Sequence, residues 1–369
     1  MSGSRLFEPI TVGAKTLQHR VVLAPLTRFR SSRKEHVPTL PLMETYYGQR
    51  SSRPGSLLIS EATFISAEGG GGDNVPGIWS KDQIAAWKKI TDKVHANGSF
   101  IYLQIWALGR AGKPETLQED GFEHVAPSAI PINEKSGTPR ELTLSEIKQY
   151  VEWFAQAAKN AVEGAGFDGV EIHNANGYLS DQFLQDVSNQ RTDEYGGSIE
   201  ARSRFPLEVV DAIAKAVGEE RIGIRLSPWG TFQGMKMADP IPQFSHFVNS
   251  IVAAHPNLSY IHVVEPDLPN ESNDFLREIW APRPFISCGG YTAETAVARA
   301  DKDGDLIAFG KWYISNPDLP TRIEKNIPFN QYDPKTFYTR AHLPGTEIGY
   351  IDYPFAGEEA SKRVAQVHL

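Results

Sequence analysis

Eight times along this chain a short apolar run turns polar at its end, and after seven of them a segment with helical spacing follows. The runs lie at 21–27, 56–63, 99–106, 169–173, 221–228, 260–265, 284–290 and 305–310. They are close to continuously aliphatic, as strands buried on both faces are. Helical character follows at 42–50, 81–97, 144–161, 198–217, 244–254, 292–300 and 319–325. Leu144, Ile147, Val151, Phe154, Ala158 and Ala161 step by three and four behind a capping box of Thr143 and Glu146. Alternation without a compositional break or a Ser/Gly linker favours an α/β fold closed into one (β/α)8 TIM barrel over an open sheet.

The 369 residues, 40% of them hydrophobic, suffice for a barrel of about 250 residues with inserted loops. One domain over 1–369 is expected, with an N-terminal hairpin at about 6–20 that turns near Gly13 and Ala14 and plugs the barrel floor. A long loop at about 109–140 is expected to be functional, and an extension at about 330–369 follows the last helix. Lys and Arg number 37 against 45 Asp and Glu, a formal charge of −8 that argues against a nucleic-acid or acidic-membrane partner. Cys288 is the only cysteine, which excludes an internal disulfide and a Cys-based metal site, and no metal is expected. The first residues lack the apolar core of a signal peptide, and no run approaches the ~20 apolar residues of a membrane span. A cytoplasmic monomer or homodimer is the expectation.

Parity within the runs singles out the chemistry. In 169–173, Val170 and Ile172 share one face while Glu171 and His173 share the other, and Asn176 and Tyr178 follow at the carboxyl end, where barrel enzymes keep their catalysts. Thr27, Gln104, Trp106 and Arg225 reach the same end from other strands. An inward arginine in a packed apolar core is costly unless something electron-rich meets it, so Arg225 implies a bound partner. An ion pair to Glu171, of the same parity on the adjacent strand, is an additional contact left open. Gly289-Gly290 and Gly310-Lys311 end the last two runs, where backbone amides and a cation favour a phosphate. A Gly-x-Gly-x-x-Gly after a strand is absent, which disfavours a tightly held nicotinamide domain.

Five stretches together carry a resemblance: Ala24-Pro-Leu-Thr27, Gln104-Ile-Trp106, His173-Asn-Ala-Asn-Gly-Tyr178-Leu-Ser-Asp-Gln-Phe183, 193–205 and Ser315-Asn-Pro-Asp-Leu319. In order and spacing the chain, from about 6 to 359, resembles the old yellow enzyme family of flavin-dependent ene-reductases. Within it the chain looks most like the fungal branch that acts on chanoclavine aldehyde in ergot alkaloid synthesis. The resemblance implies FMN across the barrel mouth, near Pro25, Leu26, Thr27, Ala62, Gln104, His173 and Arg225, with its phosphate on Gly289, Gly290, Gly310 and Lys311. Family members commonly have Arg in place of Lys311, and a lysine lacks the bidentate fork.

His173 and Asn176 would donate to the carbonyl oxygen of an enal or enone. Tyr178 would protonate the α carbon, and NADPH would recharge the flavin in the same pocket. Trp106 and Tyr353 would line the substrate pocket, and Gly72 replaces an aromatic found in some relatives. The rivals are a redox-neutral isomerase of the same aldehyde, a flavin-binding protein without turnover, and a phosphosugar-binding barrel without flavin.

Overall fold

The computed structural model describes residues 3–358. Its centre is a ring of eight parallel strands: Val21–Leu23, Leu57–Ile59, Phe100–Trp106, Gly169–Asn174, Ile222–Leu226, Tyr260–Val264, Phe285–Cys288 and Leu306–Phe309. Each pairs with the next in sequence, and the eighth returns to the first with Ile307 opposite Val21, so the sheet closes. The alternation read from the sequence is therefore a (β/α)8 barrel.

All but the fourth strand are shorter than their apolar runs, most of them because the chain leaves the ladder at the mouth. After Leu23 one further bond, from Ala24 N–H to the Phe309 carbonyl, holds the chain before it turns out toward Thr27. The long helices follow the periodic segments closely. Lys81–Ala96 and Leu144–Lys159 both carry full capping boxes, at Ser80 with Gln83 and at Thr143 with Glu146. Four short helices were not read from the sequence: Pro114–Glu119, Leu179–Leu184, Asp274–Trp280 and Lys311–Ser315. None is long enough to show two turns of amphipathic spacing. Among the described residues no helix is long and apolar enough to cross a membrane.

The hairpin pairs Ile10–Val12 with Lys15–Leu17 across a turn at Gly13, where φ is +55°. Val12 and Leu17 pack into the barrel interior with Val22, Leu57, Tyr102 and Tyr260, so the hairpin closes the floor. Above it the interior is lopsided. Strands seven, eight, one and two turn aliphatic side chains inward, among them Ile286, Leu306, Val22 and Ile59. Strands three to six instead bring Gln104, Glu171, Arg225 and His262.

Glycines set the lowest layer of that polar half. Gly169 lies opposite Tyr102, and Gly223 lies opposite Tyr260. A Cβ at either would overlap the facing tyrosine ring, and the two rings meet with centroids 5.5 Å apart. Small beside large thus fills the taper of a barrel core. Gly223→Ala is expected to cost about 1–3 kcal/mol through overpacking. In urea denaturation, the double variant with Tyr260→Leu should lose less than the sum of the single losses; simple additivity would reject the packing argument.

Candidate active site

Directly above the tyrosines, three side chains from three strands share one buried network. Gln104 Nε2 donates to Glu171 Oε1 at 2.7 Å, and His262 Nδ1 lies 2.9 Å from Glu171 Oε2. Both Glu171 and His262 are wholly shielded from solvent. Burial alone would lower the His262 pKa, but the Glu171 carboxylate outweighs it and raises the value above 6.5. Because its nitrogen is held below, Gln104 has its carbonyl oxygen left to offer a ligand.

The ion pair between Glu171 and Arg225 is not formed. Register places Gly223 beside Glu171 and Arg225 beside His173, one layer higher, and the carboxylate is already taken. The nearest bonded neighbour of Arg225 is instead Cys288, with Nη2 3.8 Å from Sγ. Burial raises the thiol pKa, yet His262 and Arg225 together hold it below its usual value. His262 was missed in the sequence although its inward parity with Tyr260 was readable.

The carboxyl ends surround a cavity of about 420 Å³. Of the predicted site residues, Pro25, Leu26, Thr27, Ala62, Gln104 and Trp106 border it, as do His173, Asn176, Tyr178, Arg225 and Lys311. Gly310 lies just behind, since a Cβ there would approach Leu26 Cδ2 at 3.2 Å. Gly289 and Gly290 do not border it; both have positive φ, and open space adjoins Gly290. Tyr353 stands apart, its hydroxyl accepting from Asp333 N–H at 3.0 Å.

The structure adds walls that the sequence did not suggest: Phe29, Phe232, Phe337 and Tyr338. The last two arrive on the C-terminal extension, which buried arginines tie down. Arg28 donates to the Phe337 and Gly349 carbonyls, and Arg30 to the Thr336 and Thr346 carbonyls.

Three aromatic groups pack against one another at the cavity. The Trp106 and His173 rings are nearly parallel with centroids 5.7 Å apart, and Tyr178 meets His173 edge-on at 4.7 Å. Burial, then Arg225 and His262, push the His173 pKa well below its usual value, so the imidazole is neutral. Burial also pushes the Tyr178 phenol up to about 12, against the opposing pull of Arg225. His173 Nδ1 and Arg225 Nε are both buried without a hydrogen-bond partner. Such groups call for a ligand, and a flavin edge with its alternating carbonyls and nitrogens fits this donor set. Among the described residues no group of three or more His, Cys, Asp or Glu side chains is placed to hold a metal.

A closed parallel barrel presenting these groups at its carboxyl end is a flavin-dependent oxidoreductase of the barrel class. The chain belongs to the NADH:flavin oxidoreductase / NADH oxidase family, whose pattern it matches over residues 5–330. It is 50% identical to chanoclavine-I aldehyde reductase fgaOx3 of Penicillium roqueforti, over 96% of this chain and 97% of that one. With NADP-dependent oxidoreductase lnbE of Aspergillus flavus the identity is 48%, again over 96% and 97%. A relative at 46% over the whole of both chains, from Epichloe festucae var. lolii, is named probable inactive reductase easA. Old Yellow Enzyme from Pichia sp. AKU4542 shares the fold with a TM-score of 0.91 at 39% identity, over 97% of this chain and 95% of that one. The protein is thus an FMN enzyme of the old yellow enzyme type that takes hydride from a nicotinamide donor.

Removing the Glu171 carboxylate strands two buried partners, and Glu171→Ala should cost about 3–5 kcal/mol in denaturant titration. The folded-state pKa of His262 is raised, so its contribution to stability is full below pH 6.5 and fades as pH climbs through the raised value. Glu171→Gln should flatten that decline; an unaltered slope would place the titration elsewhere.

Proposed function

We propose that this protein uses NADPH to reduce the carbon–carbon double bond of an α,β-unsaturated aldehyde or ketone, and that a chanoclavine-type aldehyde is its substrate. The observation that carries the reading is the meeting of His173, Asn176 and Tyr178 in one cavity, with Arg225 beside His173. The fungal relatives support the substrate class and the NADP-linked donor. The chain over 1–369 would act as one FMN-binding unit.

When bound, FMN supplies the site's hydride chemistry. The chain's own residues hold and polarise. Thr27, the Gln104 carbonyl oxygen and the Arg225 guanidinium secure the ring edge, with Pro25, Leu26 and Ala62 packed beside them. Lys311 and Gly310 would take the phosphate, with Gly289 and Gly290 contributing only if the group reaches beyond the cavity lining.

His173 and Asn176 donate hydrogen bonds to the substrate carbonyl oxygen, where negative charge develops as hydride adds to the β carbon. A neutral imidazole suits this role because it gives a hydrogen bond without giving up its proton. The α carbon then takes its proton from the Tyr178 hydroxyl. At neutral pH that hydroxyl is fully protonated, and Arg225 favours the phenolate left behind.

A phenol that mimics the polarised oxygen should bind about tenfold or more weakly to His173→Ala and Asn176→Ala, as expected for loss of one charge-assisted bond. Unchanged dissociation constants would move the carbonyl site away from this pair. In anaerobic stopped flow, Tyr178→Phe should slow reoxidation of the reduced flavin by an unsaturated aldehyde about 100-fold or more, while its reduction by NADPH is kept. One NADPH consumed per product marks a reductase. Product formed with no net NADPH use would establish the isomerase, and a colourless protein that takes up no FMN would sink both.

A further inference from the structure

Asn176 and Gly177 both adopt the left-handed region, with φ of 58° and 76°. A turn of this shape breaks away from strand and helix partners, so its backbone groups must find others. All four find side chains. Asn176 N–H donates to Ser227 Oγ at 2.8 Å, and the Asn176 carbonyl accepts from Gln233 Nε2 at 2.7 Å. Gly177 N–H donates to Asp181 Oδ2 at 2.8 Å, and the Gly177 carbonyl accepts from Gln182 Nε2 at 2.7 Å.

These four side chains come from three places: the end of the fifth strand, the turn at 232–234, and the short helix that follows Tyr178. Ser227, Asp181 and Gln182 are buried. A Cβ at Gly177 would approach Met235 Cγ at 2.7 Å, so the turn has no room to relax.

We propose that Ser227, Gln233, Asp181 and Gln182 are positioning residues that hold the Asn176–Gly177 turn, and through it set the aim of Asn176 and Tyr178 at the substrate. This rests on the functional reading above. None of the four needs to touch substrate; each holds the backbone between two groups that do, and Gln233 also bonds the Tyr178 side chain directly. A left-handed turn without its partners reverts to commoner backbone shapes, and the side chains on either side then swing apart.

Asp181 makes the device sensitive to pH. Its second oxygen, Oδ1, accepts from Gln185 Nε2 at 2.7 Å, so both oxygens face N–H donors and a proton on either displaces one of them. Burial pushes this carboxyl up to about 7, with Gln185, Gly177 N–H and the Arg110 cation opposing. Arg110 faces it from the loop after the third strand. Of the other ionisable groups nearby, Tyr178 is protonated at neutral pH and Lys236 is paired with Glu271. Protonation of Asp181 therefore loosens the turn as the medium becomes acid.

The test uses the FMN-loaded protein, with cinnamaldehyde as the oxidant and a phenol as the bound probe, from mildly acid to mildly basic pH. In the wild type, flavin reoxidation and phenol affinity should both fall as pH drops through about 7. Asp181→Asn keeps an acceptor but not the charge, so it should abolish that limb and lower the plateau about tenfold. Ser227→Ala should lower the plateau by a similar factor and keep the limb. FMN affinity and Tm separate these effects from general misfolding.

An Asp181→Asn protein that keeps both limb and plateau overturns the proposal. So does a Ser227→Ala protein unchanged in both readouts, which decides the matter even if the Asp181 variant does not fold. Wild-type flavin that cinnamaldehyde cannot reoxidise, with phenol binding that still shows the limb, would sink the functional reading and leave the positioning device standing.

Discussion

A carboxylate with no access to solvent sits in the middle of this barrel, and the layer above depends on how it is satisfied. Glu171 takes the Gln104 amide on one oxygen and His262 on the other. Both its oxygens are committed, so it has none left for Arg225. That leaves the guanidinium one layer higher, beside His173 and the cavity, with its Nε unpaired. A buried ion pair is weak evidence for stability, but here it has a directional consequence. It fixes the amide of Gln104 with nitrogen down and oxygen up, and it keeps Arg225 for the ligand. The network sorts donors and acceptors before any ligand arrives.

The mouth is built by a second set of buried charges with a different logic. Arg28, Arg30 and Arg50 donate mainly to backbone carbonyls of the chain's last third, and their flat faces lie against tyrosines. Arg50 stands over Tyr46 at 3.6 Å, and Arg28 over Tyr350 at 4.9 Å, while Tyr46 and Tyr350 stack at 4.2 Å. Guanidinium planes suit this because they pair in the plane and stack above it. The described part of the C-terminal extension, 330–358, is poor in regular structure and is thereby pinned across the barrel end. Its Phe337 and Tyr338 become walls of the cavity.

The difference between these two networks explains what could be read from the sequence. Strand parity and position along each run are local properties, and together they put Gln104, His173 and Arg225 at one barrel end. Register is not local. Whether Glu171 faces Arg225 or lies one layer below it depends on the stagger between strands four and five, which no spacing within either strand reveals. The same holds for Phe337 and Tyr338, whose place is set by arginines some 300 residues earlier. His262 is a different case: its parity was plain, but a histidine in an aliphatic strand reads as ordinary packing until its partner is known. Four short helices escaped because five to seven residues seldom display a period, although the one at 319–325 was read.

Burial acts on the two proton-bearing groups of the reactive wall in ways that suit one reaction. The same lack of solvent drives the His173 pKa down and the Tyr178 pKa up, because in each it penalises the charged form. The wall is therefore neutral, with a donor imidazole beside a donor phenol. Arg225 favours the neutral imidazole and the phenolate alike, so one cation steadies the hydrogen-bond donor and eases release of the phenol proton. A protonated His173 would compete to deliver its proton to the substrate oxygen. In the proposed reaction, a neutral His173 would leave Tyr178 as the proton source, and carbon rather than oxygen as the place where the proton ends.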